Sequence, residues 1–446
     1  MDDTLRLENV STRLLRIAKL AREAPERTLT TLAHHIDVEF LREAYRRTRK
    51  DGAAGVDGQT ACEYERDLEA NLQSLLNRFK SGAYWAPPVR RVHIPKGDGS
   101  KTRPIGIPTF EDKILQRAVS MVLEAVYEQD FLPCSYGFRP RRSAHQALKQ
   151  LRDGLMEMGG GWVLEVDIQG YFDALDHSRL REFLDKRVRD GVLRRSIDKW
   201  LKAGVMEEGQ LMRPKTGSPQ GGVISPILSN VYLHEVLDKW FEETVKPRLK
   251  GKAFLVRFAD DFLLVFAVEL DARRVFDVLP KRFAKYGLTL HPEKTRLVRF
   301  HRPRSPGAGK GRDAHGGRPG TFDLLGFRHV WGRARNGHWV IKQKTMPSRF
   351  GRALRRIAGW CRRNLHRPIK EQYGELVRKL QGHYAYYGIT GNSVALARFR
   401  REALCCWRQW LHRRSQRSRM TWAQFNRLLE HYRVPPAKCV HSIYVT

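Results

Sequence analysis

The chain is long enough for more than one folded unit, and its charge is strongly unbalanced. It has 446 residues, with 82 Lys and Arg against 48 Asp and Glu, so the formal net charge is +34. A positive excess of this size, spread along the whole chain, predicts a polyanionic partner, with nucleic acid the leading candidate. A membrane surface is disfavoured, because the basic and aromatic residues are scattered rather than gathered in one amphipathic segment.

Export and membrane insertion are also disfavoured by the sequence. No apolar run approaches the roughly 20 residues that a membrane-spanning helix needs. The first ten residues have no signal-peptide pattern, so a cytoplasmic protein is predicted. The six cysteines are dispersed without a Cys-x-x-Cys pair, which argues against a structural zinc site and fits reduced thiols.

The first 85 residues are predicted to be mostly helical, with a glycine-punctuated loop over 54–58. Alternation over 89–94 predicts a strand, followed by a turn and a second strand that ends near residue 108. Lys96, Lys101 and Arg103 then surround one basic hairpin, which would suit phosphate groups. A solvated basic hairpin is the alternative. An amphipathic helix follows over 110–130, and an aromatic, basic turn over 135–140.

An apolar strand over 162–168 carries Asp167 at its end. Asp is depleted in strands, so a carboxylate at this position indicates a site. Helical pattern resumes to about residue 206 and precedes a glycine-rich loop over 217–226 and a helix over 226–245. Gly221 and Gly222 would let the backbone approach a ligand closely, although a plain loop explains them as well.

The stretch over 254–266 consists of two apolar, β-favouring runs that meet at Ala259, Asp260 and Asp261. This pattern predicts a hairpin with two adjacent carboxylates at its tip. The carboxylates repel each other unless a cation lies there, so the tip indicates a divalent-metal site. A solvated turn, in which Asp is common, is the alternative. A helix over 271–286 and a strand over 296–300 follow.

The last third of the chain is helical and basic. Residues 301–320 are rich in Gly, Pro and Arg and are predicted to form a flexible basic loop. Apolar stripes over 350–365, 373–387 and 396–411 predict a three-helix bundle, and a short helix follows near 422–432. The arginines of the first helix lie largely off its stripe, which favours contact with a phosphate backbone over a merely solvated face.

Asp167 and the Asp260–Asp261 pair are far apart in sequence, but two antiparallel strands can bring them together. Three carboxylates could then hold two divalent ions about 3.5–4 Å apart, one activating an attacking hydroxyl and the other stabilising a leaving pyrophosphate. Lys or Arg would meet the remaining developing charge. This is the chemistry of nucleotidyl transfer.

The segment RFADDFLLVF resembles the metal-binding signature of reverse transcriptases, with Phe258 where many carry Tyr. Around it, in family order, stand IPKGDGSKTRPIGIPT, SYGFRPRRSAHQAL, DIQGYFDALDH, GSPQGGVISPILSN, HPEKT and LLGF. With the upstream AGVDG and the basic helical end, these motifs resemble a group II intron-encoded reverse transcriptase and maturase. The resemblance extends from about residue 30 to the end.

The resemblance implies an α+β fold, a right-hand polymerase. An N-terminal helical extension with the start of the fingers would occupy 1–85. Fingers and palm, built from antiparallel sheet and helices, would occupy 86–335. An all-helical thumb or maturase region would occupy 336–412, and a short basic, DNA-binding-like appendage 413–446.

The resemblance also implies roles for individual residues. Asp167, Asp260 and Asp261 would be the catalytic carboxylates that hold two Mg²⁺ ions, for which Mn²⁺ can substitute. Four further positions correspond to residues that bind the incoming nucleotide: Lys96, Arg103, Gln220 and Ile168.

Phe172 corresponds to the aromatic gate that excludes a ribose 2′-hydroxyl, with Tyr171 as the rival assignment. Three residues would contact primer or template: Lys294, Arg139 and Gly326.

The implied activity is RNA-directed DNA synthesis that copies intron RNA into cDNA and assists intron folding, splicing and retrohoming. The implied partners are group II intron RNA, a DNA target and primer, and dNTPs, without a membrane. Many relatives carry a zinc-dependent HNH endonuclease domain. The absence of a Cys-pair array predicts that this chain does not cut the second strand and takes its primer from another source, such as a nascent strand at a replication fork.

Two other interpretations stay open at this point. One is a domesticated polymerase in phage defence or spacer acquisition. The other is an RNA-binding maturase whose polymerase is dispensable, although three carboxylates kept in so basic a chain favour an intact polymerase. Host intron, DNA target and oligomeric state are not specified by the residues.

Overall fold

The computed structural model describes residues 2–96, 101–207, 209–212, 217, 221–303, 320–334, 336–414 and 420–442. Two compact units share the chain. The first comprises residues 1–147 and 166–296, and the second comprises residues 148–165 and 297–446. Most of the loop predicted over 301–320 lies outside the described residues. Among the described residues, no helix combines the length and the apolar character needed to span a bilayer.

The first unit is a mixed α and β assembly. Its helices are α1 (Asp2–Glu23), α2 (Val38–Arg47), α3 (Ala61–Glu65), α4 (Leu68–Ser81), α5 (Phe110–Tyr127), α7 (Tyr171–Ala174), α8 (His177–Arg187), α9 (Gly191–Lys202), α10 (Ser225–Leu233) and α11 (Glu269–Ala284). Helix α6 (Ala144–Glu157) begins in this unit and ends in the other.

Helix α5 forms the centre of the first unit because its apolar residues cover most of its circumference, as expected of a helix with neighbours on several sides. Ile114, Leu115, Ala118 and Val122 are fully buried, and α1 and α2 pack against the helix. Thr109 caps its N-terminus by accepting a hydrogen bond from the backbone N–H of Asp112 at 3.2 Å. The helix predicted over 110–130 is therefore confirmed.

Two sheet elements belong wholly to the first unit. Strands β1 (Val89–Lys96), β2 (Lys101–Ile107), β4 (Val205–Glu207) and β5 (Gln210–Met212) form a sheet in the order β2-β1-β4-β5. Strands β6 (Ala253–Phe258) and β7 (Asp261–Phe266) form the predicted antiparallel hairpin, with Phe258 opposite Asp261. The helical pattern predicted to about residue 206 instead ends with α9, and β4 follows it.

The helix predicted over 226–245 is present but irregular. After α10 the chain continues as π-helix over His234–Asp238 and Trp240–Val245. Such π segments are rare and are often found at functional sites. Here the first of them carries Asp238, whose side chain is fully buried.

The second unit contains the strands β3 (Gly160–Val166, all but its last residue), β8 (Arg296–His301, all but its first residue), β9 (Phe322–Leu324), β10 (Phe327–Arg333) and β11 (Trp339–Thr345). Strand β8 lies beside β3, and the other three form a sheet in the order β11-β10-β9. Its helices are α12 (Pro347–Arg363), α13 (Ile369–Tyr387), α14 (Ser393–His412) and α15 (Trp422–His431).

The three apolar stripes predicted near the C-terminus are confirmed as one helical core. Ile357, Leu380, Phe399 and Trp407 are buried together, one or more from each of α12, α13 and α14. Phe425 of α15 joins the same core. The segment over 413–446 is thus packed onto the bundle where it is described, and its predicted contact with DNA stays a prediction.

The predicted start of the helical region at residue 336 is wrong, because residues 339–345 form β11 and the helices begin at Pro347. The inward-facing residues of β11 include Gln343 and Thr345, which are buried although polar. Gln343 Nε2 donates to the carbonyl of Leu148 at 2.9 Å, and this hydrogen bond offsets the cost of burying the Gln343 amide. The α+β class itself is confirmed.

Candidate active site

The hairpin tip that carries the paired carboxylates is a tight, strained turn. Two residues, Ala259 and Asp260, connect β6 to β7, and Ala259 has a φ of 56°. A positive φ at the first of two loop residues is typical of a type II′ turn, where glycine is usual. An alanine there costs about 1–2 kcal/mol, because its Cβ approaches the following carbonyl oxygen. The surrounding structure must therefore hold the tip in place.

Part of that support comes from the loop that contains Gly137. A Cβ at Gly137 would overlap the backbone nitrogen of Ala259 and lie 2.8 Å from the carbonyl carbon of Phe258. The backbone N–H of Tyr136 also donates to the carbonyl of Arg257 at 2.8 Å. Only glycine allows the two backbones to approach this closely, so the SYGF motif and the hairpin tip form one assembly.

A buried arginine supports the tip from below. Arg257 of β6 is fully buried and donates from Nε and Nη2 to the carboxylate of Asp238, at 2.8 and 2.5 Å. Its Nη1 donates to Asn230 Oδ1 at 2.9 Å and to the carbonyl of Ala259 at 3.2 Å. Asn230 Nδ2 in turn donates to the carbonyl of Gly137 at 2.8 Å.

Arg139, predicted to contact primer or template, is instead bound to the protein itself. It is 8% exposed, and its Nε and Nη2 donate to Glu128 at 3.0 Å. Its Nη1 donates to the carbonyls of Leu132 and Ser135 at 2.8 and 2.9 Å. The guanidinium is thus engaged with protein acceptors, and its predicted contact with primer or template stays a prediction.

Asp167 directly follows β3 and pairs with Lys294. Lys294 Nζ lies 2.8 Å from Asp167 Oδ2. The backbone holds the two segments together, because the N–H of His291 donates to the carbonyl of Asp167 at 2.8 Å and Ile168 forms an antiparallel bridge with Leu290. Lys294 was predicted to contact the primer; in the structure its partner is the predicted catalytic carboxylate.

The two rivals for the aromatic gate have different environments. Tyr171 is 3% exposed, and its hydroxyl donates to the carbonyl of Ser229 at 2.9 Å. Burial raises the pKa of Tyr171 well above its usual range. Phe172 is half-buried, with its ring 5.3 Å from that of Tyr171. A gate must reach the substrate, so the exposure of Phe172 favours it over Tyr171.

Glycines bring the loops around Phe172 into contact. A Cβ at Gly217 would lie 3.0 Å from the carbonyl oxygens of Phe172 and Asp173, and one at Gly221 would lie 2.5 Å from the carbonyl oxygen of Gly106 on β2. The glycine-rich loop therefore lies beside Phe172 at Gly217 and beside β2 at Gly221. Gln220 lies outside the described residues, so its predicted role stays a prediction.

The remaining predicted nucleotide-binding residues are placed as follows. Arg103 is exposed on β2 opposite Ile94. Lys96 ends β1, and its side chain is outside the described part of the chain. Ile168 has a buried side chain, so only its backbone is available to a nucleotide. The roles of all three stay predictions.

Gly326, predicted to contact primer or template, belongs to the second unit and has a clear structural role there. Leu325 and Gly326 have φ values of 51° and 82° and connect β9 to β10, as in a type I′ turn. A Cβ at Gly326 would lie 3.1 Å from the hydroxyl of Tyr387. The turn thus packs against α13, and its predicted contact with the primer stays a prediction.

The three predicted catalytic carboxylates are the candidate ligands for a divalent metal. Within the described ranges, no group of three or more His, Cys, Asp or Glu side chains is placed to hold a metal ion, so the clustering of Asp167 with Asp260 and Asp261 stays a prediction. The donor chemistry fits, since carboxylate oxygens are the ligands that Mg²⁺ prefers. Asp167 already attracts a cation, the ammonium of Lys294.

Sequence reasoning missed Arg257, Asp238 and Asn230. The available signal was a single charged residue inside the apolar run over 254–258. Charged residues are almost never fully buried unless they are paired, so an arginine in a buried strand predicts an acidic partner. The sequence does not say which acid that is.

Comparison with known proteins agrees with these motifs. Residues 94–329 match the model of a family described as reverse transcriptase (RNA-dependent DNA polymerase). The chain is 38% identical over 231 residues to group II intron-encoded protein LtrA of Lactococcus lactis subsp. cremoris, covering 51% of this chain and 38% of that protein. It is 28% identical over 277 residues to nuclear intron maturase 2, mitochondrial, of Arabidopsis thaliana, covering 50% of this chain and 37% of that protein.

A third relative is covered more fully. The chain is 38% identical over 258 residues to protein YkfC of Escherichia coli (strain K12), and the match covers 51% of this chain and 68% of that protein. With the family model spanning more than half of its length, this chain belongs to the reverse transcriptase (RNA-dependent DNA polymerase) family.

Proposed function

We propose that this chain is an RNA-directed DNA polymerase encoded by a group II intron. The observation that carries the proposal is the pairing of four family motifs in the first unit. Gly137 seats the SYGF loop on the Asp260–Asp261 hairpin, and Gly217 seats the glycine-rich loop on Phe172. Motifs far apart in sequence are therefore joined in two pairs, and the proposal places Asp167 with them.

In this proposal Asp167, Asp260 and Asp261 would hold two divalent ions, Mg²⁺ with Mn²⁺ as a substitute. Bound there, the ions would activate the primer 3′-hydroxyl and compensate the charge of the leaving pyrophosphate. Arg103 would bind the triphosphate of the incoming dNTP through its planar fork of donors. Phe172 would pack against the deoxyribose and exclude a 2′-hydroxyl.

The template would be intron RNA, bound with help from the second unit. Arg355, Arg356, Arg362 and Arg363 are exposed on α12. A row of exposed arginines suits a phosphate backbone. The names of LtrA and of the Arabidopsis maturase support an intron as the partner. Assistance to splicing would then be a binding function. In this proposal the fingers and palm occupy residues 86–335, and the thumb consists of α12–α14.

The experiment that tests the proposal separates synthesis from binding. Asp260→Ala should abolish primer extension on an RNA template and leave RNA affinity within about twofold, because one carboxylate at the tip contributes to chemistry and not to the basic surface. The matched control is Asp277→Ala, at an exposed carboxylate on α11, which should extend primers normally. Extension by the Asp260 variant at the wild-type rate would overturn the site, and a wild-type protein without extension activity would overturn the function.

A further inference from the structure

Arg257 makes a set of contacts that the polymerase chemistry does not use directly. Its guanidinium is fully buried, and its donors reach three acceptors: the carboxylate of Asp238, the amide oxygen of Asn230 and the carbonyl of Ala259. That carbonyl belongs to the peptide group that joins Ala259 to Asp260. The arginine therefore fixes the orientation of the peptide plane directly before the paired carboxylates.

Stability alone gives a weak reason for this arrangement. Removing two charges from water is costly, and a buried ion pair can often be replaced by apolar residues without loss of stability. An apolar pair could not donate to the Ala259 carbonyl, however. The contribution specific to the arginine is thus the geometry of the tip.

The tip needs such support because Ala259 is held at a φ of 56°. Without a donor on its carbonyl, the peptide could rotate toward a conformation that relieves the contact of its Cβ, and Asp260 would move with it. Asn230 extends the support, since its amide accepts from Arg257 at 2.9 Å and donates to the carbonyl of Gly137 at 2.8 Å. One network therefore binds both the hairpin tip, at the Ala259 carbonyl, and the loop that packs against it, at the Gly137 carbonyl.

We propose that Arg257 is a positioning residue, which holds the Ala259–Asp260 peptide and thereby the carboxylates of Asp260 and Asp261 in their working orientation. Asp238 and Asn230 orient its guanidinium. The catalytic consequence rests on the proposed polymerase function. The mechanical consequence, a rigid hairpin tip, does not.

The test compares Arg257→Lys with a matched variant, Arg187→Lys. Lysine keeps the positive charge beside Asp238 but cannot reach all three acceptors at once. Arg187 is also buried and also paired, with Asp130 at 2.7 Å and with backbone carbonyls, and none of its hydrogen-bond partners lies in the hairpin. Both variants should lower the melting temperature by similar amounts.

The two variants should differ at the tip. In Arg257→Lys the backbone amides over 258–262 should exchange with deuterium at least about tenfold faster, and primer-extension turnover should fall by about ten- to a hundredfold, as expected when reacting groups are displaced by up to 1 Å. Mn²⁺ binding, followed by electron paramagnetic resonance, should weaken. In Arg187→Lys all three quantities should match wild type.

Two further variants distinguish a positioning role of Arg257 from a merely structural one. Ala259→Gly in the Arg257→Lys background removes the contact of the Cβ and should recover part of the turnover. Arg257→Met with Asp238→Leu removes the ion pair as a unit and should fold even where a single change does not, yet its tip should still exchange quickly. If that double variant recovers both the slow exchange and the turnover, or if Arg187→Lys behaves like Arg257→Lys, Arg257 is merely structural. If wild type extends no primer but the exchange pattern holds, the polymerase function fails and the positioning role stands.

Discussion

Lys294 Nζ lies 2.8 Å from Asp167 Oδ2, so the predicted catalytic carboxylate has a counter-ion supplied by the chain itself. Both side chains are about half exposed, at 56% for Lys294 and 45% for Asp167. Exposed ion pairs of this kind contribute only about 0.2–1 kcal/mol. The lysine therefore neutralises the charge of the carboxylate without preventing a metal ion from taking the place of the ammonium.

Lys294→Met should strengthen the binding of Mn²⁺ to the protein, because the ammonium no longer neutralises Asp167. The expected gain is about two- to fivefold, the range that corresponds to an exposed ion pair. Electron paramagnetic resonance titration with Mn²⁺ measures it without reference to activity. Lys285→Met, at an exposed lysine near the end of α11, is the control and should leave the affinity unchanged. A loss of affinity in Lys294→Met would show that the lysine supports the metal site.

Phe172→Ala should increase incorporation of ribonucleotides relative to deoxyribonucleotides by an order of magnitude or more, because the half-buried ring is the one of the two aromatics that faces solvent. The measurement is single-nucleotide extension with each substrate. Tyr171→Phe removes only the hydroxyl that bonds to Ser229, so it should cost about 1 kcal/mol of stability and leave selectivity unchanged. If Phe172→Ala has no effect while Tyr171→Ala relaxes selectivity, the gate is Tyr171.

The stability of the first unit should depend on pH through Asp112. Burial raises the pKa of Asp112 to about 8, and its carboxyl accepts a hydrogen bond from Tyr84. In the folded state the carboxyl keeps its proton up to about pH 8, whereas in the unfolded state it loses the proton near pH 4. Its contribution to the free energy of unfolding is therefore fully present below pH 4 and is lost as the pH rises to about 8.

Asp112→Asn removes this dependence, because an amide resembles the protonated acid and does not titrate. The free energy of unfolding of wild type relative to the variant should fall by up to about 1.4 kcal/mol per pH unit between pH 4 and 8. Urea unfolding at several pH values measures the difference. Using the difference also cancels His234 and His329, whose pKa values burial lowers to about 4 and whose contribution has the opposite slope. A constant difference across this range would contradict a protonated Asp112.

The affinity for RNA should fall steeply with salt, and two arginines of α12 should carry part of the slope. Replacing both Arg355 and Arg356 by Gln should reduce the slope of log K against log salt by about 1.4, since each phosphate contact to a single strand contributes about 0.7. Arg400→Gln is the matched control in the same unit, because that side chain donates to the carbonyls of Val434 and Pro435. A flat salt response of the wild type would contradict the electrostatic account of RNA binding.

Local pattern predicted the features that depend on neighbours in sequence. The Asp260–Asp261 hairpin, the placement of Asp167 after a strand and the helical stripes near the C-terminus all follow from periodicity or from adjacent residues. Polar residues inside the core defeated the same reasoning. Gln343 and Thr345 interrupt the apolar alternation of β11. The pattern therefore does not predict this strand, and the predicted helical region wrongly includes it.

Pairings over long distances in sequence could not be predicted in this way. The partner of Lys294 is Asp167, and the partners of Arg257 are Asp238 and Asn230. Each pairing depends on how helices and strands pack together, which the amino-acid sequence alone does not specify. The same holds for Arg139, whose partners are Glu128 and the carbonyl of Ser135.

The second unit includes residues 148–165, which are far from the rest of that unit in sequence. This separation affects both synthesis of the chain and the design of fragments. Strand β3 leaves the ribosome long before β8, the strand beside it. Until β8 is synthesised, an apolar strand has an unpaired edge, which is a template for association with other chains. A fragment that begins at residue 297 would have the reciprocal defect. Fragments made for separate study should therefore keep 148–165 with the C-terminal part, through a permuted or linked chain.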